Sequence, residues 1–252
     1  MQSIRDWYCF SRDHRRHFLA GLGENTNAAL VTLLQNELNQ APIKSLRTLE
    51  EIKNYKRESL PRLADLKQRK PDEQHLQYLF MHRGYFRQPF ESVLTREYPS
   101  CDRRNERSAV IDLLGFDNKR KEPLIVELKR AEASDPLFGV VLEALHHWAF
   151  FSRNSRLLAA VLRRGGYDCP DTCSVQLAIA APTEYYVVTQ RRSATSPARN
   201  REYSRTIDAL TYLAARTGLN VPLVAIDDNW RDTGTDFPAR LWWQVPTAEQ
   251  RG

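Results

Sequence analysis

The sequence predicts an α/β protein in which a mixed β-sheet is flanked by helices and preceded by a helical N-terminal segment. Three observations lead to this fold class. The 252 residues are 42% hydrophobic and 27% charged, which is typical of a globular protein. From residue 72 onwards, stretches with apolar residues at helical spacing alternate with short extended apolar runs. The first 70 residues show helical spacing alone.

The N-terminal 70 residues are predicted to form three helical stretches. Asn25 and Thr26 are candidate caps of the first, which Pro42 ends. The apolar positions of the three stretches are Leu30, Leu33, Leu34 and Leu38, then Leu46, Leu49 and Ile52, then Leu63 and Leu66. This part carries 13 basic and 8 acidic side chains, which is nearly all of the chain's net charge of +6. We therefore divide the chain into a basic helical segment, residues 1–70, and a second domain, residues 71–252.

The second domain is predicted to start with a helix and three strands. The helix covers residues 72–82, and Gly84 is its natural C-terminal stop. After this helix the hydrophobic pattern changes from helical to extended. Turn-rich stretches separate the predicted strands at residues 90–98, 108–116 and 123–129. Three consecutive strands joined by turns indicate an antiparallel meander.

The remainder of the chain is predicted to add two helices and two strands. Ser134 or Asp135 caps an apolar helix at residues 136–151. A buried strand follows at residues 175–181, then a helix at 201–216 and a last strand at 221–226. The Ser/Thr/Pro-rich stretch after the first of these strands is predicted to be a loop with a cluster of arginines, Arg191, Arg192, Arg199, Arg201 and Arg205.

Three charged residues stand out because they lie in apolar strands. Glu127 and Lys129 share a face of their strand, and Asp112 would lie opposite Glu127 if the second and third strands pair through the turn at 117–121. Buried charges are costly unless they are paired or bind an ion. The two carboxylates and the Leu128 carbonyl form the oxygen-rich set that Mg²⁺ prefers. The pattern predicts a metal site with Lys129 beside it, and the alternative is an ion-pair network at a strand end.

The spacing Asp, fourteen residues, Glu-x-Lys, followed by an apolar helix, resembles the PD-(D/E)xK nuclease superfamily. The resemblance implies a restriction-endonuclease-like α-β-β-β-α-β core over residues 72–181. It implies that Asp112 and Glu127 bind Mg²⁺ or Mn²⁺, that Lys129 is the catalytic lysine, and that Glu73 of the first helix assists. The implied activity is metal-dependent hydrolysis of phosphodiester bonds in nucleic acid, with DNA favoured.

The chain departs from the pattern of many members of this superfamily at two places. Ile111 stands where the motif has its leading proline. Glu143 and His147 stand where many members carry a Gln-x-x-x-Tyr pair, so no substrate detail is borrowed from those members. A core histidine bonded to a neighbour is the favoured interpretation of His147, and a general base is the alternative.

Basic residues outside the motif are candidates for contacts to nucleic-acid phosphates. Lys119, Arg120 and Lys121 form a turn, and Arg15 and Arg16 lie in a basic stretch near the N-terminus. In both places a simple solvated surface is the alternative. The N-terminal segment is also a candidate for binding a second copy of the chain or a partner protein.

Two further function classes compete with an active nuclease. One is a catalytically inactive nucleic-acid-binding or assembly module of the same fold. The other is a redox or metal-cluster role for the four cysteines, although only Cys169 and Cys173 are close in sequence and unlinked thiols are favoured. We expect a cytoplasmic protein with no membrane partner, since the chain has no long apolar run and its N-terminus lacks an apolar signal stretch.

Overall fold

The computed structural model describes residues 4, 6–7, 25–52, 60–66, 72–87, 90–100, 110–133, 135–195, 197–227 and 238–245. The helices with described bounds are α1 Thr26–Leu38, α2 Leu63–Leu66, α3 Glu73–Arg83, α4 Leu137–Arg153, α5 Ser155–Arg164, α6 Thr183–Thr195 and α7 Pro197–Thr217. Residues 49–52 are helical as well. The strands are β1 Glu91–Pro99, β2 Val110–Asp117, β3 Glu122–Leu128, β4 Gln176–Pro182, β5 Leu223–Ile226 and β6 Ala239–Trp243.

The six strands form one mixed sheet in the order β1-β2-β3-β4-β5-β6. The pairs β1–β2, β2–β3 and β5–β6 are antiparallel, whereas β3–β4 and β4–β5 are parallel. The predicted α/β class with a mixed sheet flanked by helices is confirmed. From α3 onwards the helix and strand order also follows the prediction as far as β4, with α5 inserted before that strand.

Helices cover both faces of the sheet. On one face, α3 packs its apolar side chains against Leu113, Val126 and Ala178. On the other, α4 packs against Leu114, Ile125 and Ile179. Neighbouring residues of β2, β3 and β4 thus point into different cores, as the two-residue period of a strand requires. This double burial explains why these strands are continuous apolar runs.

The predicted stop of α3 at Gly84 is confirmed and each end of the helix lies within one residue of the predicted range, but the predicted cap of α4 is wrong. The carboxylate of Asp72 caps α3 by accepting a hydrogen bond from His75 N at 2.7 Å, and Gly84 ends the helix in the left-handed conformation, with φ 79°. The N-cap of α4 is Pro136, and Ser134 lies outside the described residues. The buried N–H of Phe138, in the first turn of α4, instead donates to Oε1 of Glu202 at 2.8 Å. This cap comes from α7, so a search of adjacent residues could not find it.

The described part of the N-terminal segment packs on the sheet domain. Leu30, Leu33 and Leu34 of α1 lie in the same apolar core as α4 and α7. Polar contacts join the two parts as well, since Ile43 N donates to Asn154 Oδ1 at 2.9 Å and Arg153 lies 3.4 Å from Glu37. Removal of residues 1–70 would therefore uncover apolar side chains of α4. The domain boundary at residue 70 stays a prediction.

The predicted arginine loop after β4 is wrong, because this stretch is helical in α6 and in the first turns of α7. Tyr185 and Tyr186 are fully buried and anchor α6 on the sheet. The Ser/Thr/Pro content of the stretch predicts a loop, whereas the packing of these two tyrosines favours a helix. Arg191 and Arg192 are exposed on α6. Two further elements, α5 and β6, were not predicted.

Candidate metal-binding and catalytic site

The structure brings the three charged residues of the motif together at one end of the β2–β3 pair. Leu113 and Val126 are the last paired residues of the antiparallel register, so Asp112 and Glu127 follow directly beyond the end of the paired strands. A direct contact fixes this end of the pair, because Leu128 N donates to Oδ2 of Asp112 at 2.7 Å.

A glutamine of α3 holds the second oxygen of Asp112. Gln77 is buried, and its Nε2 donates to Oδ1 of Asp112 at 2.7 Å. Gln77 was not predicted as a site residue, although the sequence carries a signal for it. Gln77 lies four residues after Glu73, which the resemblance implies is a site residue, and residues at this spacing share a helix face.

Lys129 lies between two carboxylates. Its Nζ is 2.7 Å from Oε1 of Glu127 and 3.1 Å from Oε2 of Glu143, a residue of α4. The side chains of Lys129, Glu127 and Glu143 are only 7%, 4% and 20% exposed. The backbone of Lys129 is fixed as well, because its N–H donates to Ala180 O at 2.9 Å on the neighbouring parallel strand.

The pKa values of this cluster reflect burial and an excess of carboxylates. Burial raises the pKa of Asp112 to about 6. Burial and then the nearby Glu143 carboxylate raise the pKa of Glu127 well above its usual range. Burial alone would lower the pKa of Lys129, but Glu127, Glu143, Asp112 and Glu73 together raise it well above 10.5. The lysine is therefore an ammonium at neutral pH, which can orient a water or stabilise negative charge but cannot accept a proton.

Glu73 belongs to the same electrostatic cluster. It lies in the first turn of α3, is partly buried, and raises the pKa values of both Asp112 and Lys129. The resemblance implies a supporting role for Glu73 at this site, and that role stays a prediction.

A buried arginine lies next to the site on its α3 side. The side chain of Arg96 lies 4.4 Å from the ring centroid of Tyr78, and its Nη2 donates to the Tyr78 hydroxyl at 3.3 Å. Its Nη1 lies 2.9 Å from Glu97 and 3.5 Å from Oε1 of Gln77. Residues 96 and 98 would share a face in a regular strand. Glu97 between them has a left-handed backbone, with φ 48°, so Arg96 faces α3 whereas Tyr98 faces α4. Arg96 thus orients the amide that holds Asp112, a role that sequence analysis missed.

His147 is a buried residue whose ring is used within the fold. Its Nδ1 lies 2.8 Å from the hydroxyl of Ser100. Burial lowers its pKa to about 4, so the ring is neutral at neutral pH. These contacts agree with the favoured interpretation of a core histidine bonded to its neighbour.

The predicted phosphate contacts do not lie beside the carboxylates. The turn with Lys119, Arg120 and Lys121 closes the opposite end of the β2–β3 pair. Five residues of strand separate Asp112 from this turn, which corresponds to about 17 Å. Each of the three cations contacts a protein group, namely the Phe90 ring for Lys119, Asp117 for Arg120 and Asp168 for Lys121. Arg15 and Arg16 lie outside the described residues.

The donor chemistry of the cluster fits a hard divalent cation. Asp112 accepts one hydrogen bond at each oxygen, which leaves each oxygen a further lone pair. The cluster's acidic side chains outnumber its single ammonium. In the present arrangement Lys129 bridges Glu127 and Glu143, and the described stretches contain no group of three or more His, Cys, Asp or Glu side chains placed around one point. Binding of an ion between Asp112 and Glu127 therefore requires side-chain adjustment around Lys129.

No family model, curated protein or solved structure matches this chain. The assignment of the site accordingly depends on its own geometry and chemistry. Among the helices that the structure describes, none is long and apolar enough to cross a membrane.

Proposed function

We propose that the protein is a metal-dependent nuclease of the PD-(D/E)xK type that hydrolyses phosphodiester bonds of nucleic acid, with DNA as the favoured substrate. One observation carries the proposal. The buried carboxylate of Glu127 lies 2.7 Å from the ammonium of Lys129, and the half-buried Asp112 accepts a hydrogen bond from the intervening Leu128 at the end of the neighbouring apolar strand. The helix and strand order around them agrees with the core that the sequence motif implies.

Each residue of the cluster has a role that follows from its position. Asp112 and Glu127 bind Mg²⁺ or Mn²⁺ together with the Leu128 carbonyl, and Glu73 orders waters at the edge of the site. The bound ion supplies a Lewis acid that stabilises charge on the phosphate. Lys129 orients the attacking water and stabilises negative charge on the phosphate.

Cleavage assays with matched variants test this proposal. Plasmid, linear duplex, single-stranded DNA and RNA are incubated with Mg²⁺, Mn²⁺ or EDTA. Cleavage should need the metal and fall by at least about a hundredfold in Asp112→Asn and Glu127→Gln. The control is Glu122→Gln, which removes an acid from the other end of the same strand and should leave cleavage intact. Metal-dependent cleavage that persists in both site variants would overturn the assignment.

Gln77 provides a second test of the same site. Gln77→Met keeps the size of the side chain but removes the donor to Asp112. Groups that orient metal ligands typically change metal affinity by about 10–100-fold when removed. The Mg²⁺ concentration for half-maximal cleavage should therefore rise, with little change in the rate at saturating Mg²⁺. An unchanged Mg²⁺ dependence would refute this role.

The alternative is a catalytically inactive nucleic-acid-binding or assembly module. The observation that favours it is the pairing of Lys129 with both Glu127 and Glu143, which compensates part of the buried charge without any ion. Binding to DNA or RNA that falls with salt, with no cleavage under any metal, would establish this alternative.

The basic N-terminal segment is proposed to bind the polyanion or a partner protein. Because α1 packs on α4 and α7, point substitutions test this better than a truncation. If Arg15 and Arg16 each contact a phosphate, Arg15→Ala with Arg16→Ala should reduce the slope of log affinity against log salt by about 2. An unchanged slope would argue against these contacts.

A further inference from the structure

Two thiols meet in the loop between α5 and β4. The Sγ atoms of Cys169 and Cys173 are 3.4 Å apart, and the Cys169 thiol donates a hydrogen bond to the Cys173 sulfur. Both are free cysteines. They lie at the end of the sheet where β4 begins, whereas the carboxylate cluster lies where β3 ends.

The geometry of this loop allows the two sulfurs to bond. A disulfide has an S–S distance of about 2.05 Å, so the sulfurs need to approach by about 1.4 Å. The residues that carry them belong to no helix or strand, so the ladder hydrogen bonds of β4 need not break. We propose that Cys169 and Cys173 are a reversible dithiol–disulfide pair that exchanges with low-molecular-weight disulfides such as oxidised glutathione.

The surroundings assign different roles to the two sulfurs. Cys169 is only 2% exposed, whereas Cys173 is partly exposed and borders an open cleft of about 490 Å³. Burial raises the pKa of both thiols, that of Cys169 to about 12. The hydrogen bond from Cys169 favours the thiolate of Cys173 and so opposes this rise. Cys173 is thus the attacking sulfur and Cys169 the resolving one, and the elevated pKa values make the exchange slow.

The exchange is balanced in atoms and electrons. The Cys173 thiolate attacks one sulfur of glutathione disulfide, forms a mixed disulfide and expels one glutathione thiolate. The Cys169 thiolate then attacks the Cys173 sulfur and expels the second glutathione. Two protein thiols are oxidised, one small disulfide is reduced to two thiols, and the protein loses two hydrogen atoms.

Oxidation would change contacts on both sides of the loop. Asp168 pairs with Lys121 of the β2–β3 turn, and Asp171 pairs with Arg163 of α5. Arg163 also donates to the carbonyl of Cys169 at 3.0 Å. Drawing the sulfurs together pulls on these contacts and shifts the wall of the cleft at Cys173. The pair therefore couples the redox state of the surroundings to the position of the turn.

The test uses the full chain with Cys9→Ser and Cys101→Ser, which removes the other two thiols. The folded protein is equilibrated at several ratios of oxidised to reduced glutathione, quenched by alkylation and mapped as peptides. A peptide pair linked through Cys169 and Cys173 is expected, and added reductant should remove it. This measurement needs no substitution in the loop. A folded protein that keeps both thiols at every ratio would overturn the proposal, as would one zinc ion bound per chain through these thiols.

Single variants then separate the roles of the two sulfurs. Cys169→Ser should accumulate a glutathione adduct on Cys173. Cys173→Ser should form its adduct roughly tenfold more slowly, because the remaining sulfur is buried and has the higher pKa. Equal rates for the two variants would refute the assigned order of attack. Neither result depends on nuclease activity, so this proposal can fail while the proposed function stands.

Discussion

Replacement of Lys129 by methionine would leave the Glu127 carboxylate buried without its nearest cation. At an effective dielectric constant of about 20, charges separated by 2.7 and 3.1 Å attract by about 6 and about 5 kcal/mol. Much of this attraction is offset by the cost of removing the charges from water. When one partner is deleted, that cost stays, and buried pairs typically lose about 3–5 kcal/mol. We expect Lys129→Met to lower the free energy of unfolding by this amount.

Urea unfolding followed by circular dichroism, in EDTA to exclude bound metal, measures this effect. The double variant Lys129→Met with Glu127→Gln should recover most of the loss, because a neutral amide then replaces the unpaired carboxylate. The matched control is Lys119→Met, an exposed lysine, which should change stability by less than about 0.5 kcal/mol. The reasoning is refuted if Lys129→Met costs less than about 1 kcal/mol, or if the double variant is as unstable as the single one.

Three further predictions concern the fold. Because the pKa of His147 is lowered to about 4, the unfolded chain takes up its proton first, and the contribution of His147 to stability should rise by about 3 kcal/mol from pH 4 to pH 6.5. The raised pKa of Asp112 acts in the opposite direction over the same range, so the contribution is measured as the difference between the unmodified protein and His147→Asn in urea titrations at several pH values. Glu202→Gln weakens the hydrogen bond that caps α4 at Phe138 and should lower the free energy of unfolding by about 1–2 kcal/mol, measured by thermal unfolding. An unchanged free energy would show that the carboxylate charge does not stabilise this helix end. Gly115→Ala would place a Cβ 2.8 Å from the backbone oxygen of Ser92 and should cost about 1–3 kcal/mol in urea unfolding, whereas a neutral result would mean that the strands separate freely there.

The sequence was most informative where local chemistry determines local structure. Asp72 and Gly84 mark the two ends of α3, and both residues act as the principles of helix capping require. The charges at Asp112, Glu127 and Lys129 interrupt apolar runs, and strand periodicity together with one turn suffices to bring them together. These features could be predicted because each needs only residues that are close in sequence or joined by a single hairpin.

Contacts between distant parts of the chain could not be predicted in this way. The bond from Gln77 to Asp112 depends on how α3 crosses the sheet, and Lys129 meets Glu143 only because α4 packs on the opposite face. The cap that Glu202 supplies joins residues 64 positions apart. A glutamine, a glutamate or an arginine on a helix has too many solvated alternatives for sequence alone to select its partner.

The packing of α1 has a consequence for how the chain acquires its structure during synthesis. The apolar face of α1 is completed by α4 and α7, and the contact between Ile43 and Asn154 spans 111 residues. At a ribosomal rate of about 5–20 residues per second, α1 waits on the order of ten seconds before α4 emerges. Leu30, Leu33 and Leu34 stay uncovered during that interval. The N-terminal segment is thus made well before the helices that bury it, and its apolar side chains are open to chaperone binding during that interval.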